Sequence, residues 1–236
     1  MSQNSNAGWL TAIAGGAIGS VLTAGILVLA GPSLLGERLV RDALVANPDI
    51  IMDAGQALRD QQYAETLNPI RASLERPFFS SWKGAEKPDV TLTYFFDYAC
   101  GYCRQSNPDI ERLLKEQKGL RVVYRELPIL GPDSVAAARV SLAASRAGKF
   151  SQYHDALYAA GRPGPDTIAI AAKAAGIAPR PSEDPAQEAE LRANMTLASQ
   201  LGATGTPLFI VGDRVMNAAV GYDALKGAIE AARKKG

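Results

Sequence analysis

The first stretch of the chain is strongly apolar, and residues 1–36 contain no charged side chain. The run from Trp9 to Ala30 is long enough to cross a bilayer as a helix, which needs about 20 apolar residues. We interpret residues 1–36 as a signal-anchor, with a signal peptide cleaved after Val28-Leu29-Ala30 as the alternative. In either case the pattern predicts that the rest of the chain is exported.

A second stretch, residues 37–76, has narrow apolar stripes at helical spacing between Leu39 and Leu58. We expect helices here, broken at Asn47-Pro48 and again at Asn68-Pro69. Such short helices cannot form a core alone, so they must pack on the main domain or on copies of themselves. We favour self-association, with a helical spacer as the alternative. Pro77 to Pro88 is rich in proline, serine and glycine and is expected to be a connector.

In the third stretch, strand patterns alternate with helical ones, which predicts an α/β domain over residues 77–236. β-branched and aromatic residues mark the strands, and the middle of the domain is alanine-rich and helical. The predicted strands are Val90 to Phe96, Leu120 to Glu126, and a hairpin of Leu208 to Val211 with Val215 to Asn217. The predicted helices are Arg104 to Lys118, several within residues 132–201 with breaks near Gly148, Gly161 and Ala178, and a closing helix from Tyr222 to Lys234.

The composition excludes several classes of function. With a formal net charge of +1, the chain lacks the electrostatic character of a nucleic-acid-binding protein. Its two cysteines and one histidine are too few for a structural zinc site, and we expect neither a metal nor a cofactor. A Ser-His-Asp triad would have to use His154, but the chain has no Gly-x-Ser-x-Gly motif. We therefore interpret His154 as a packing residue or as part of a helix face.

The chemistry of the chain is concentrated in Cys100-Gly101-Tyr102-Cys103, which stands between a predicted strand and a predicted helix. The first turn of a helix has unpaired N–H groups and the positive end of the helix dipole, and both stabilise a thiolate. We therefore expect Cys100 to be the exposed, reactive thiolate and Cys103 to be the more buried, resolving thiol. A small structural disulfide and a copper(I) site of two thiolates are the alternatives.

A second candidate element lies far downstream, where Thr206-Pro207 precedes the predicted strand from Leu208. Proline cannot donate to a strand ladder, so a proline at the start of a strand needs a reason. A cis peptide bond would leave the preceding backbone groups free to pair with an extended substrate beside the two cysteines. Cis bonds are only about 5–6% of X-Pro bonds, so the residues by themselves favour an ordinary trans turn.

Three ordered motifs carry a resemblance to a known family. Phe95 to Cys103, Glu126 to Ser134 and Gly205 to Phe209 resemble three segments of the DsbA family of bacterial thiol:disulfide interchange proteins, a resemblance that extends over residues 88–234. Leu44 to Ile51 is similar to the N-terminal region of the ScsC-like, copper-sensitivity-suppressor branch of that family, some members of which oligomerise through it.

The resemblance implies a thioredoxin fold with a helical insertion at about residues 132–201, and a cis bond before Pro207. It also implies dithiol–disulfide exchange on exported proteins. The site residues expected on this basis are Cys100 and Cys103 as catalytic residues and Gly101, Tyr102, Thr206 and Pro207 as substrate-binding residues.

The resemblance also implies partners and a location. The expected partners are cysteine-containing exported proteins, a membrane redox partner of the DsbB or DsbD type, and further copies of the chain, but no nucleic acid. The expected location is the periplasmic side of the bacterial inner membrane, or the soluble periplasm if residues 1–30 are removed. Oxidase and isomerase directions both stay open, and binding of copper(I) or of a client protein without turnover is the alternative function.

Two departures from the family pattern concern the acidity of the site. Gly101-Tyr102 stands where the strong oxidants of the family have Pro-His, so a histidine that could stabilise the thiolate is missing. Tyr94 occupies a position that often holds a buried acid in thioredoxin-like proteins. Asp97 is acidic, but its position in the predicted turn is equally typical of a turn-forming residue.

Overall fold

The computed structural model describes residues 36–180 and 184–235, and the chain divides into two compact units between Ala57 and Leu58. Except for Gly36, the expected signal-anchor or signal peptide lies outside the described residues. Within the described ranges, no helix combines the length and apolar character that a membrane crossing needs. The second of the two units begins at Leu58.

Among the residues that the structure describes, two helices precede the sheet, α1 (Gly36–Ala46) and α2 (Asp49–Glu75), and they are separated at the predicted Asn47-Pro48 break. The predicted second break at Asn68-Pro69 is wrong, because α2 continues through Pro69. A proline inside a helix costs about 3 kcal/mol. Leu67 and Leu74, on either side of it, are buried, and each contributes roughly 1.5–3 kcal/mol. Packing of the second half of α2 thus offsets the proline.

The sheet has five strands in the order β1-β3-β2-β4-β5. β2 and β3 are parallel, as the predicted strand–helix–strand unit requires, and the other neighbours are antiparallel. The predicted hairpin is present as β4 and β5, with Gly212 and Asp213 between them. The strands are β1 (Trp82–Gly84), β2 (Val90–Phe96), β3 (Leu120–Glu126), β4 (Leu208–Val211) and β5 (Arg214–Met216).

The short strand β1 lies within the segment that we expected to be only a connector. It pairs with β3 at the edge of the sheet, with Trp82 opposite Val123. The Arg121 guanidinium lies 4.8 Å from the centre of the Trp82 ring. A three-residue strand has no periodicity of its own, so only its pairing with β3 identifies it.

The remaining helices pack on both faces of the sheet. The helices between β3 and β4 form the expected helical insertion, and their breaks fall at the predicted places. Tyr94 and Phe96 of β2 enter one apolar core, whereas Phe95 enters a second one with Leu67 and Leu74 of α2. These helices are α3 (Gly101–Glu116), α4 (Pro132–Arg146), α5 (Phe150–Ala160), α6 (Pro165–Ala175), α7 (Pro185–Gln200) and α8 (Gly221–Lys235).

Candidate active site

The two cysteines lie at the start of α3, as the sequence predicted. Cys100 is the N-cap residue, with φ −76° and ψ 119°, and its Sγ accepts the N–H of Cys103 at 3.4 Å. The helix begins at Gly101, before the predicted start at Arg104, because the Cys100 sulfur satisfies one of the unpaired N–H groups of the first turn. The positive end of the helix dipole therefore points at this sulfur.

The Thr206-Pro207 segment lies directly against Cys100. The Cys100 thiol donates to the carbonyl oxygen of Thr206 at an Sγ–O distance of 3.2 Å. The peptide bond between Thr206 and Pro207 is cis, as the resemblance implied. The two segments meet because β4 pairs with β2, with Leu208 opposite Phe95.

Both cysteines are free thiols, but they differ in their surroundings. Cys103 is fully buried, as expected. Cys100 is 7% exposed, which corrects the expectation of an open thiol. The main part of its surface is covered, and the Thr206 carbonyl is one of the groups that cover the sulfur.

Burial keeps the resolving thiol, Cys103, in its protonated form. Desolvation raises the pKa of the Cys103 thiol to about 12. A hydrogen bond from the Asp97 backbone opposes this rise, and a negative charge on Cys100 adds to it. Because the thiolate is the nucleophile, the geometry leaves Cys100 as the sulfur that reacts first.

Asp97 joins the cysteine turn to the loop that follows β3. Its carboxylate is buried, and Oδ2 accepts the N–H groups of Ile129 and Leu130 at 2.8 and 2.9 Å. Oδ1 accepts the Ser134 hydroxyl at 2.7 Å and the N–H of Ala99 at 2.8 Å. The turn-forming role expected for Asp97 accounts only for its bond with the N–H of Ala99. The three others come from a segment distant in sequence, which no local pattern could have indicated.

A buried polar chain lies behind the site. The Glu126 carboxylate accepts the Ser141 hydroxyl at 2.7 Å, and Ser141 shares a hydrogen bond of 2.8 Å with the Tyr98 hydroxyl. The Tyr98 hydroxyl also lies 3.3 Å from Nδ1 of His154. Burial raises the pKa of Glu126 to about 8, because its charged form has no water to solvate it.

His154 is a packing residue in the core, as the sequence predicted. It is buried, and its ring contacts aromatic side chains that include Phe96, Tyr124 and Phe150. Burial lowers the pKa of His154 well below its usual value, so the ring stays neutral. It therefore supplies no positive charge to the thiols.

The expected substrate-binding residues differ in exposure. Tyr102 is 64% exposed and Gly101 is also exposed, whereas Thr206 is half-buried and Pro207 is buried. The side chains of Ile129 and Leu130, whose backbone is held by Asp97, are exposed and apolar. The surface near the cysteine turn therefore offers apolar side chains.

The sulfurs of Cys100 and Cys103 are donor atoms of the kind that suits a soft metal ion such as copper(I). Across residues 36–180 and 184–235, no group of three or more His, Cys, Asp or Glu side chains is arranged to hold a metal ion.

A mixed five-stranded sheet with a dithiol at the start of a helix and a helical insertion before β4 defines a thioredoxin-like fold. The family comparison agrees with this class. Residues 91–230 match the DSBA-like thioredoxin domain, and residues 37–65 match the copper resistance protein ScsC N-terminal domain. The chain belongs to the DSBA-like thioredoxin family.

Several solved structures are similar to this chain in both sequence and fold. A periplasmic thioredoxin-like protein from Salmonella enterica serovar Typhimurium is 32% identical, with a TM-score of 0.65 over 71% of this chain and 97% of that one. A thioredoxin-like oxidoreductase from Silicibacter pomeroyi is 37% identical, with a TM-score of 0.64 over 70% and 98% of the two chains. Proteus mirabilis ScsC in a transitional conformation is 26% identical, with a TM-score of 0.67 over 88% and 97%.

The curated relatives are proteins of a different size. The Na(+)/H(+) antiporter NhaA 3 of Salinispora tropica is 34% identical over 79 residues, which are 33% of this chain. The chain thus spans only 12% of the length of that protein.

Proposed function

We propose that this protein is a thiol–disulfide oxidoreductase that acts on exported proteins through Cys100 and Cys103. The observation that carries the proposal is the Cys100 sulfur at the N-cap of α3, with the buried Cys103 thiol one turn later. A sulfur stabilised by a helix start is a good nucleophile and a good leaving group, and the second thiol lets it escape from a mixed disulfide.

In the oxidising direction, a substrate thiolate attacks the Cys100 sulfur of the Cys100–Cys103 disulfide. The S–S bond breaks, and Cys103 leaves as a thiolate that takes up a proton. A second substrate thiolate then attacks the substrate sulfur of the mixed disulfide, which releases an oxidised substrate and the Cys100 thiolate. Two electrons pass from the substrate to the protein.

In the isomerising or reducing direction, the Cys100 thiolate attacks a substrate disulfide and one substrate sulfur leaves as a thiolate. An isomerase ends the cycle when that substrate rearranges and expels Cys100. A reductase ends it when Cys103, after losing its proton, attacks the Cys100 sulfur. Burial raises the pKa of Cys103 to about 12 in the dithiol protein, so Cys103 must lose a proton before it can attack.

Substrate contacts are proposed for Thr206, Pro207, Gly101 and Tyr102. The Thr206 carbonyl holds the Cys100 thiol in the dithiol form. In a mixed disulfide that S–H is gone, and the carbonyl oxygen is available to accept an N–H of an extended substrate segment. Tyr102 adds an exposed ring two positions after the reacting Cys100.

We also propose that residues 36–57 associate with further copies of the chain. The apolar side chains of this unit are exposed when it is considered by itself, and residues 37–65 match the ScsC N-terminal domain. The exposed residues are Leu39, Val40, Val45, Ile50, Ile51 and Met52. Light scattering should give a multiple of the chain mass for a protein that begins at Gly36 and the single mass for one that begins at Leu58. Equal states of association would overturn the proposal.

The proposed location is the periplasm, with the chain either anchored through residues 1–36 or released by cleavage. The similar Salmonella protein is periplasmic, which supports this location. A DsbB- or DsbD-like membrane protein would then keep the thiols oxidised or reduced. Fractionation of cells that express the full chain with a C-terminal tag separates the anchored from the released form.

The function is tested with two serine variants in an exchange assay. Cys100→Ser should abolish turnover, whereas Cys103→Ser should accumulate mixed disulfides with substrate proteins. Full activity of Cys100→Ser would exclude the oxidoreductase and favour copper(I) or client binding, the second candidate that the copper-resistance family of residues 37–65 supports. Trapping the thiols in cells decides the direction: mainly disulfide excludes the isomerase, and mainly dithiol excludes the oxidase.

A further inference from the structure

The buried Asp97 carboxylate has its hydrogen bonds satisfied but its charge left in place. Its four donors are the N–H groups of Ile129, Leu130 and Ala99 and the Ser134 hydroxyl. All four are neutral. Neutral donors stabilise an ionised carboxylate without cancelling its net negative charge. A buried charge of this kind acts on its neighbours more strongly than an exposed one, because little water screens it.

The Asp97 carboxylate lies close to the cysteine turn, because its Oδ1 accepts the N–H of Ala99, the residue before Cys100, at 2.8 Å. The Asp97 carbonyl accepts the N–H of Cys100 at 3.0 Å, and the Asp97 backbone also hydrogen-bonds the Cys103 sulfur. The Tyr158 hydroxyl donates to the same carbonyl at 3.4 Å. Burial raises the pKa of Tyr158 well above its usual value, and negative charges at Cys103, Cys100 and Asp97 add to the rise. Negative charges on the Asp97 carboxylate and on both sulfurs therefore act on the same hydroxyl group.

We propose that Asp97 is a positioning residue that ties the Cys100 turn to the Ile129–Leu130 loop and, through its buried negative charge, shifts the thiol pair toward the disulfide. This inference rests on the proposed function, since it concerns the same two sulfurs. A thiolate exists only in the reduced protein. A neighbouring negative charge raises the free energy of that thiolate, and so it disfavours the reduced form.

Asp97→Asn is the variant that removes the charge with little change in shape. Its amide oxygen can accept the N–H groups of Ile129 and Leu130, and its NH₂ group can donate to the Ser134 hydroxyl, while the N–H of Ala99 loses its acceptor. The control is Ser134→Ala, which deletes one donor to the carboxylate and keeps the charge. Both variants are used in the full chain.

The measurement is the equilibrium with glutathione, in which one protein dithiol and one glutathione disulfide give one protein disulfide and two glutathione thiols. Asp97→Asn should shift this equilibrium toward the protein dithiol by roughly fivefold to tenfold. Ser134→Ala should change it less than about twofold. The thiolate absorbance of the reduced protein at pH 7 should rise in Asp97→Asn alone.

The outcomes separate the inference from the function. The role of the charge is overturned if the equilibrium constant of Asp97→Asn with glutathione lies within twofold of that of the natural protein. It is also overturned if Ser134→Ala shifts this constant equally. Neither result affects the proposed exchange activity. If the natural protein itself does not exchange with glutathione, the proposed function fails and the inference fails with it.

A measurement on the natural protein covers the case in which Asp97→Asn does not fold. The amide proton shifts of Ile129 and Leu130 should differ between the oxidised and the reduced protein, because their acceptor responds to the charge state of the thiols. Ala186 is the matched control, since its N–H donates to the Asp184 carboxylate at 2.9 Å, away from the cysteine turn. Shift differences at Ile129 and Leu130 no larger than that at Ala186 would contradict the inference.

Discussion

The Sγ atom of Cys100 lies 3.2 Å from the carbonyl oxygen of Thr206, although 106 positions of sequence separate the two residues. The contact joins the start of α3 to the residue pair that precedes β4. It also couples the chemical state of the sulfur to a backbone group. The carbonyl has a donor while the thiol is protonated and loses it when the sulfur ionises or forms a disulfide.

Alkylation should distinguish the two thiols. In the native dithiol protein, iodoacetamide should modify Cys100 and leave Cys103 unmodified, because Cys103 is fully buried and its pKa is raised to about 12. At pH 7 such a thiol is ionised in roughly one molecule in 10⁵. Mass spectrometry of the peptides gives the result, with the guanidinium-unfolded protein, in which both cysteines react, as the control. Preferential labelling of Cys103 would reverse the assigned roles.

Glu126 should make the protein less stable as the pH rises. Burial raises its pKa in the folded protein to about 8 from an ordinary value of 4.5. Between these values the folded state binds one more proton than the unfolded state, so stability is fully present below pH 4.5 and is lost as the pH rises through 8. The loss is at most about 5 kcal/mol, since one pKa unit corresponds to about 1.4 kcal/mol.

Glu126→Gln should remove this part of the pH dependence. The measurement is urea unfolding at pH 5 and pH 8, compared as a difference between variant and natural protein. That difference cancels the contribution of His154, whose lowered pKa acts with the opposite sign below pH 6.5. Glu188→Gln is the control, because that carboxyl is near the surface and pairs with Arg139. If Glu126→Gln left the change in unfolding free energy between pH 5 and pH 8 as it is in the natural protein, the buried carboxyl would not be the cause of that change.

Arg125 should be a major determinant of stability, because its guanidinium holds the end of α2. It donates to the carbonyl of Leu74 at 3.2 Å and to that of Arg76 at 2.9 Å. It also bonds Glu190 at 2.9 Å and the Asn194 amide oxygen at 2.7 Å. Arg125→Met would leave these buried groups without their donor, which typically costs about 3–5 kcal/mol.

The matched control is Arg139→Met, which removes an arginine from a pair with Glu188. That pair is short, 2.6 Å, but its side chains are 38% and 36% exposed. Exposed pairs contribute about 0–1 kcal/mol. Chemical unfolding should therefore show a clearly larger loss of unfolding free energy for Arg125→Met than for Arg139→Met. Similar losses would contradict the conclusion that Arg125 is a major determinant of stability.

The second half of α2 should behave as part of the thioredoxin unit. Leu67→Ala removes a fully buried side chain and should lower the free energy of unfolding by about 2–5 kcal/mol. Leu58→Ala changes a side chain that is 57% exposed and should cost less than about 0.5 kcal/mol. Unfolding followed by tyrosine fluorescence compares the two. Equal effects would mean that residues 58–75 do not share the core.

The errors of the sequence interpretation have a common physical origin. Pro69 predicted a helix end, but α2 continues because Leu67 and Leu74 are buried against the sheet. The Pro77 to Pro88 segment shows no strand pattern, and β1 exists only through its pairing with β3. In both cases distant contacts outweigh a local preference.

The sequence by itself determined the strand–helix junction at Cys100, the spacing of the two thiols and the helical breaks at Asn47-Pro48, Gly148 and Gly161. These are local properties, set by side-chain periodicity and by residues with restricted backbone angles. The tertiary structure alone decided that the Thr206 carbonyl covers Cys100 and that Asp97 binds Ile129 and Leu130. Such contacts depend on which strands pair and in which register, and a single sequence contains no periodic signal for either.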